Sequence, residues 1–86
     1  MQTEQLASLI RFHRKKAGLS QNELADHAGV SRYVVQDLEA AGGRTTWTKL
    51  QAVLETLSIE LVPSGKLVGR WRASEVDGTG KGSKNE

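Results

Sequence analysis

Four polar side chains in the run SRYVVQDLE are of the types that read base-pair edges. Arg32 can make bidentate hydrogen bonds to guanine and Gln36 to adenine, Tyr33 can meet a thymine methyl or a phosphate, and Asp37 can accept from cytosine. Repulsion from phosphates disfavours the last contact, so Asp37 is better suited to orient a neighbour or to exclude wrong sequences. The spacing carries this reading. On a helix, Val35 and Leu38 point to one side with Val34 alongside, and Arg32, Tyr33, Gln36 and Asp37 are left on the other, near the N-terminus from which base edges are reached. A helix used in this way needs other elements to hold it.

The stretch from Leu19 to Glu39, LSQNELADHAGVSRYVVQDLE, supplies the first of them. Ser20 caps a helix, with Glu23 three residues on completing a capping box, Gly29 breaks the pattern, and Ser31 caps a second helix starting at Arg32. Leu24, Ala25, Ala28, Val30, Val35 and Leu38 fall where two helices crossing at such a turn bury apolar surface, which makes a helix-turn-helix. Gln21 opens the first helix, where free amides favour an anion. With Asn22, Ser31, Arg44, Thr45, Thr46 and Lys49 it forms a candidate phosphate-binding set. Taken singly, Arg44 and Lys49 read equally well as solvated charge.

Two further helices complete a four-helix core. Residues 3–17 place Leu6, Leu9, Ile10, His13 and Ala17 in one stripe, with Phe12 at its margin, expected at the core edge rather than against a second subunit. Gly18 ends this helix. Arg14 falls near the core side and is a candidate partner for Glu39, although both could be solvated, when the pair would contribute at most about 1 kcal/mol. After the loop AAGGRTT, Thr46 caps a helix whose apolar face is Trp47, Leu50, Val53, Leu54 and Leu57. The period then changes in SIELVPSGKLVG. Ile59, Leu61 and Val62 predict a strand that pairs with its copy in a second subunit, or a hairpin of 59–62 with 66–69. From Ser74 the chain is polar and glycine-rich and is expected to be disordered. Trp71, between Arg70 and Arg72, either anchors a partner or folds back onto the domain.

Composition bounds the function. Eighty-six residues make one small domain, marginal as a monomer, and the absence of cysteine removes disulfides and thiolate chemistry. No apolar run approaches the roughly 18 to 20 residues that span a bilayer, so a soluble, cytoplasmic protein is expected. A net charge of +2 says little about nucleic acid by itself. His13 and His27 lie on different helices without carboxylates at ligand spacing, and no nucleophile has an adjacent base, so neither an enzyme nor a metal or cofactor site is expected.

The stretch from Leu9 to Leu57 resembles the Xre class of the lambda-repressor-like helix-turn-helix family, through R-x-x-x-G-L-S-Q at Arg14 to Gln21, E-L-A at Glu23 to Ala25, G-V-S at Gly29 to Ser31, and L-E at Leu38 and Glu39. The resemblance implies that Gln21 contacts phosphate, that Arg32, Tyr33, Gln36 and Asp37 face the groove, and that Arg14 pairs with Glu39. Within the class, TTWTKLQAVLETLSIELV looks like the HipB antitoxin subfamily, in which the last helix runs into a strand that pairs across a dimer and the repressor binds a HipA-like kinase toxin. Tyr33, the Gly42–Gly43 pair and the tail depart from that pattern. The expected organisation is a DNA-binding domain over 1–57, a dimerisation segment over 58–69 and a flexible tail over 70–86. The expected function is a dimeric repressor of double-stranded operator DNA, an antitoxin that controls its own operon. An Xre-type regulator unrelated to toxins and a protein-interaction adaptor are the alternatives.

Overall fold

The computed structural model describes residues 2–77, apart from the side chains of Val76 and Asp77, and folds them into five helices. They are α1 (Thr3–Lys16), α2 (Gln21–Ala28), α3 (Arg32–Glu39), α4 (Trp47–Thr56) and α5 (Val68–Asp77). The first four coincide with the helices expected from periodicity and capping. Ser20 Oγ accepts from the Glu23 amide at 3.0 Å while Glu23 Oε1 accepts from the Ser20 amide at 2.8 Å, so the capping box is closed in both directions. Thr46 Oγ1 likewise accepts from the Lys49 amide at 3.4 Å. Ser31 holds the cap position of α3 without a side-chain hydrogen bond, which leaves its exposed hydroxyl free.

The core sits where α2 and α3 cross over α1 and α4. Ile10, Leu24, Val35 and Val53 are fully buried, with Ala25, Val34, Leu54 and Leu57 around them. Burying each large side chain of this kind contributes about 1.5–3 kcal/mol before the entropy of ordering is counted. α1 meets α3 through a face turned from the expected one. Ala7 and Ile10 are buried and Arg11 and Arg14 half-buried, whereas Leu9 is only half-buried and Ala17 is exposed. Phe12 is 57% exposed and is not at the core edge; the Lys16 ammonium stands 5.6 Å from its ring centroid. Trp47 departs too, being 60% exposed where an apolar face was expected.

Four helices end by the same device, α2 among them through the bond from the Val30 amide to the Ala25 carbonyl at 3.0 Å over left-handed Gly29, φ 72°. In the other three, backbone bonds from Leu19 to Arg14, from Gly42 to Asp37 and from Ile59 to Leu54 close the last turns of α1, α3 and α4. The residues in left-handed conformation at these closures are Gly18, Ala41 and Ser58, with φ of 73°, 57° and 57°.

The closure of α4 bears on the expected strand. Ser58 is left-handed, the Ile59 amide donates to Leu54 at 2.8 Å, and Ile59 packs against the core, so 58–59 terminate a helix rather than begin a ladder. Among the described residues there is no strand, and the hairpin of 59–62 with 66–69 does not form because Val68 and Gly69 open α5. α5 also occupies positions expected to be tail, running across the 69/70 boundary through Ser74 to Asp77. Trp71 therefore sits in a helix, 47% exposed, and among the described side chains of α5 none joins the core cluster. Residues 78–86, the remainder of the expected tail, lie outside the described residues.

Candidate nucleic-acid interface

The second helix of the motif, α3, presents its N-terminal half outward. Arg32 and Tyr33 are exposed, Tyr33 at 74%, and the Arg32 guanidinium lies 5.9 Å from the Tyr33 ring centroid. Gln36 is half-buried on the same helix, one turn on from Arg32. Val34 and Val35 are buried, so the two sides of α3 divide as the periodicity predicts.

Beside α3 lies a cleft of about 320 Å³, lined by Tyr33, Asp37, Arg44, Thr45, Thr46 and Lys49 with Val34 at its floor. Six expected contact residues from three segments of sequence thus meet on one concave surface. Arg32, Gln36, Arg44 and Lys49 form no ion pair or side-chain hydrogen bond with any described residue, so their donors are available to a ligand. The charge of Arg32, Arg44 and Lys49 suits the spaced anions of a phosphate backbone. Asn22 is exposed at the start of α2, on a different part of the surface from this cleft.

Three side chains in the cleft are engaged internally, Thr46 as the cap of α4 and Asp37 with Thr45. Asp37 Oδ2 accepts from the Arg44 amide at 2.9 Å, the Thr45 amide at 3.0 Å and the Thr45 hydroxyl at 2.8 Å. The Thr45 hydroxyl, followed by the two amides and the nearby Arg44 charge, lowers the Asp37 pKa against a smaller opposing effect of desolvation. Because the folded pKa is depressed, the contribution of this contact is present at neutral pH and is lost as pH falls through that lowered value. Glu23 is shifted in the same direction by the Ser20 amide and hydroxyl.

Gln21 is held from behind. Its amide donates to Glu39 Oε1 at 3.2 Å, which joins it to the ion pair expected between α1 and α3. Arg14 Nε reaches Glu39 Oε2 at 2.6 Å and a terminal nitrogen reaches Oε1 at 2.9 Å, a bidentate pair whose side chains are 12% and 4% exposed. The hydrogen bonds to Glu39 raise the Arg14 pKa, outweighing desolvation. Arg14 also donates to the Leu19 carbonyl at 2.8 Å, tying the α1–α2 turn into the same network.

Arg11, not among the expected site residues, donates to the Glu39 backbone carbonyl at 2.8 Å and so satisfies an end carbonyl of α3. The signal for it was its position three residues before Arg14, on the same face. His13 Nδ1 lies 2.9 Å from the Leu9 carbonyl, a local packing role, and His27 is exposed.

Residues 5–60 match the model of a family described as "Helix-turn-helix domain", which covers more than half of the chain. The chain belongs to this helix-turn-helix family. A curated relative, the uncharacterized HTH-type transcriptional regulator y4mF of Sinorhizobium fredii (strain NBRC 101917 / NGR234), is 38% identical over 63 residues, spanning 71% of this chain and 83% of the relative. Among solved structures, a chain of the HipA-HipB-O2-O3 complex is 25% identical with a TM-score of 0.68, the match covering 76% of this chain and 92% of that one. A structure described as "MDT Protein" matches with the same values. The helix-turn-helix family and this likeness agree with the Xre-like, HipB-like character of the motifs. In such a regulator α3 is the recognition helix.

Proposed function

We propose that this helix-turn-helix protein is a dimeric repressor that reads double-stranded operator DNA through Arg32, Tyr33 and Gln36, and that it is the antitoxin of a toxin–antitoxin operon. The observation that carries the DNA reading is the convergence of Arg44, Thr46 and Lys49 beside the outward half of α3. Gln21, Asn22 and Ser31 bind phosphate on the other side of the recognition helix. Arg32→Ala is expected to cost about 1–3 kcal/mol in operator affinity and to relax preference at one base pair per half-site. Fluorescence anisotropy over a set of single-base operator variants measures this; an equal loss on every sequence would mean that Arg32 touches only the backbone.

The homodimer is supported by an apolar surface that the protomer leaves uncovered. Leu6, Leu9, Trp47, Leu50, Leu61 and Val62, rimmed by Gln2, Thr3 and Glu60, line a cleft of about 470 Å³, with Trp47 and Val62 60% and 67% exposed. Contiguous apolar surface of this kind marks an interface, whereas scattered apolar residues do not. Residues 60–62 pair across the dimer axis as a strand, with Leu61 and Val62 as its contacts. Ile59 already packs on its own core and serves the protomer instead.

The toxin partner is a HipA-like kinase, a reading supported by the fold likeness to a chain of the HipA-HipB-O2-O3 complex. Trp71 and Leu67, exposed on and beside α5, give the C-terminal segment an apolar contact of its own. Pull-down of the neighbouring gene product should be lost when residues 70–86 are deleted. Retention at full strength would remove Trp71 from the partner surface.

A further inference from the structure

We infer that Asp37 is a positioning residue for the DNA-contacting loop, seated by Gly42, and that it is not a base reader; this rests on the DNA-binding reading above. Ala41 takes the left-handed conformation and the Gly42 amide donates to the Asp37 carbonyl at 2.8 Å, which folds Gly42 back against the residue that accepts its hydrogen bond. A Cβ built at Gly42 would overlap Asp37 Oδ1 and lie 3.0 Å from its Cγ. Gly42 is not among the positive-φ glycines, unlike Gly43 at 76°, so space and not backbone conformation is what requires glycine here.

The carboxylate held in that space aims Oδ2 at the Arg44 and Thr45 amides and the Thr45 hydroxyl. Three donors on one oxygen, all from the loop between α3 and α4, fix the loop to the recognition helix itself. Arg44, Thr46 and Lys49 are thereby held at a set offset from Arg32 and Tyr33. A carboxylate with these commitments has no reason to approach a base edge, where the phosphates would repel it. Asp37 acts on DNA only through the placement of its neighbours.

The test compares Asp37→Ala, Gly42→Ala, the double variant and Asp37→Asn in the full chain. The probes are a duplex recovered by the wild-type protein from a randomised pool and a scrambled duplex of the same composition. Asp37→Ala and Gly42→Ala should each weaken binding to both duplexes by the same factor, about 5- to 30-fold. Each should also flatten the salt dependence, since fewer phosphates are engaged. The double variant should be no worse than Asp37→Ala, because a Cβ at 42 does no harm once the carboxylate is gone. Asp37→Asn keeps an acceptor oxygen and should restore most of the affinity.

In the DNA-free protein, amide hydrogen exchange at Arg44 and Thr45 should quicken in Asp37→Ala and Gly42→Ala while the exchange of α2 is unchanged. This arm reads the latch without DNA, so failure of the wild-type protein to bind either duplex would count against the DNA reading and not against the latch. Unchanged exchange and unchanged binding in Gly42→Ala would overturn the inference. So would a loss of binding in Asp37→Ala confined to the selected duplex.

Discussion

Arg14→Ala should destabilise the domain by about 3–5 kcal/mol, the cost of removing one partner from a buried ion pair. The Glu39 side chain is only 4% exposed, and without Arg14 its carboxylate keeps a single side-chain donor, Gln21, at 3.2 Å. The Leu19 carbonyl loses its side-chain donor in the same variant. An exposed pair would contribute at most about 1 kcal/mol, so the magnitude distinguishes the two situations. For a domain this small, a loss of that size lowers the thermal midpoint by on the order of 10–40 °C. Arg14→Lys should fall between, keeping the charge but not the two-pronged geometry. Thermal and urea unfolding measure both variants, and a change below about 1 kcal/mol in Arg14→Ala would show that the pair is solvated.

The second large effect concerns the uncovered apolar surface. Val62→Glu places a charge where Trp47, Leu61 and Val62 lie together at one edge of a protomer, and a charge has no partner if a second protomer covers that edge. The variant should be monomeric by analytical ultracentrifugation at concentrations where the wild-type chain is a dimer. Its operator affinity should fall by about 10²–10⁴, because two half-sites are no longer read by linked recognition helices. The fold of the protomer should be unaffected, since Val62 is already exposed. A dimer that survives Val62→Glu with full affinity would place the interface elsewhere.

The motif itself was legible because its signals are local. Ser20 with Glu23, Gly29 and Thr46 each act within one turn of the helix end they define, and the structure uses all three. The outward placement of Arg32 and Tyr33 followed from Val35 and Leu38, with Val34 alongside. The face of α1 was read in part: Ile10 and Arg14 were placed on the core side, but Ala7 and Arg11 were not counted towards it. The stripe that meets α3 is Ala7, Ile10, Arg11 and Arg14, in which two arginines carry the contact through Glu39. Periodicity in hydrophobicity does not register a face built half of charge.

The segment after α4 failed for a different reason. Alternation in SIELV is a two-residue pattern too short to outweigh the closure of the preceding helix, which takes Ser58 and Ile59. α5 was missed because Gly69 lies inside it, costing about 1 kcal/mol relative to alanine, and because the charged residues after it read as tail. The spacing of Leu67 and Trp71 by one turn, with the Trp71 amide donating to Leu67 at 3.0 Å, was the available signal. Gly42 was noted only as half of a glycine pair. Its role depends on Asp37, five residues earlier, meeting it across the closed end of α3, and neither residue type announces that contact.

Sequence-specific binding of DNA by α3 is the central proposal for this protein. The most direct test is titration of the folded wild-type dimer, at about 0.15 M salt, against the DNA upstream of its own gene and a scrambled duplex of the same composition. The account predicts a preference of about 10³ or more for the upstream DNA, and protection of two half-sites about one helical turn apart. Equal affinity for the two duplexes, or no binding to either by a folded dimer, would contradict it.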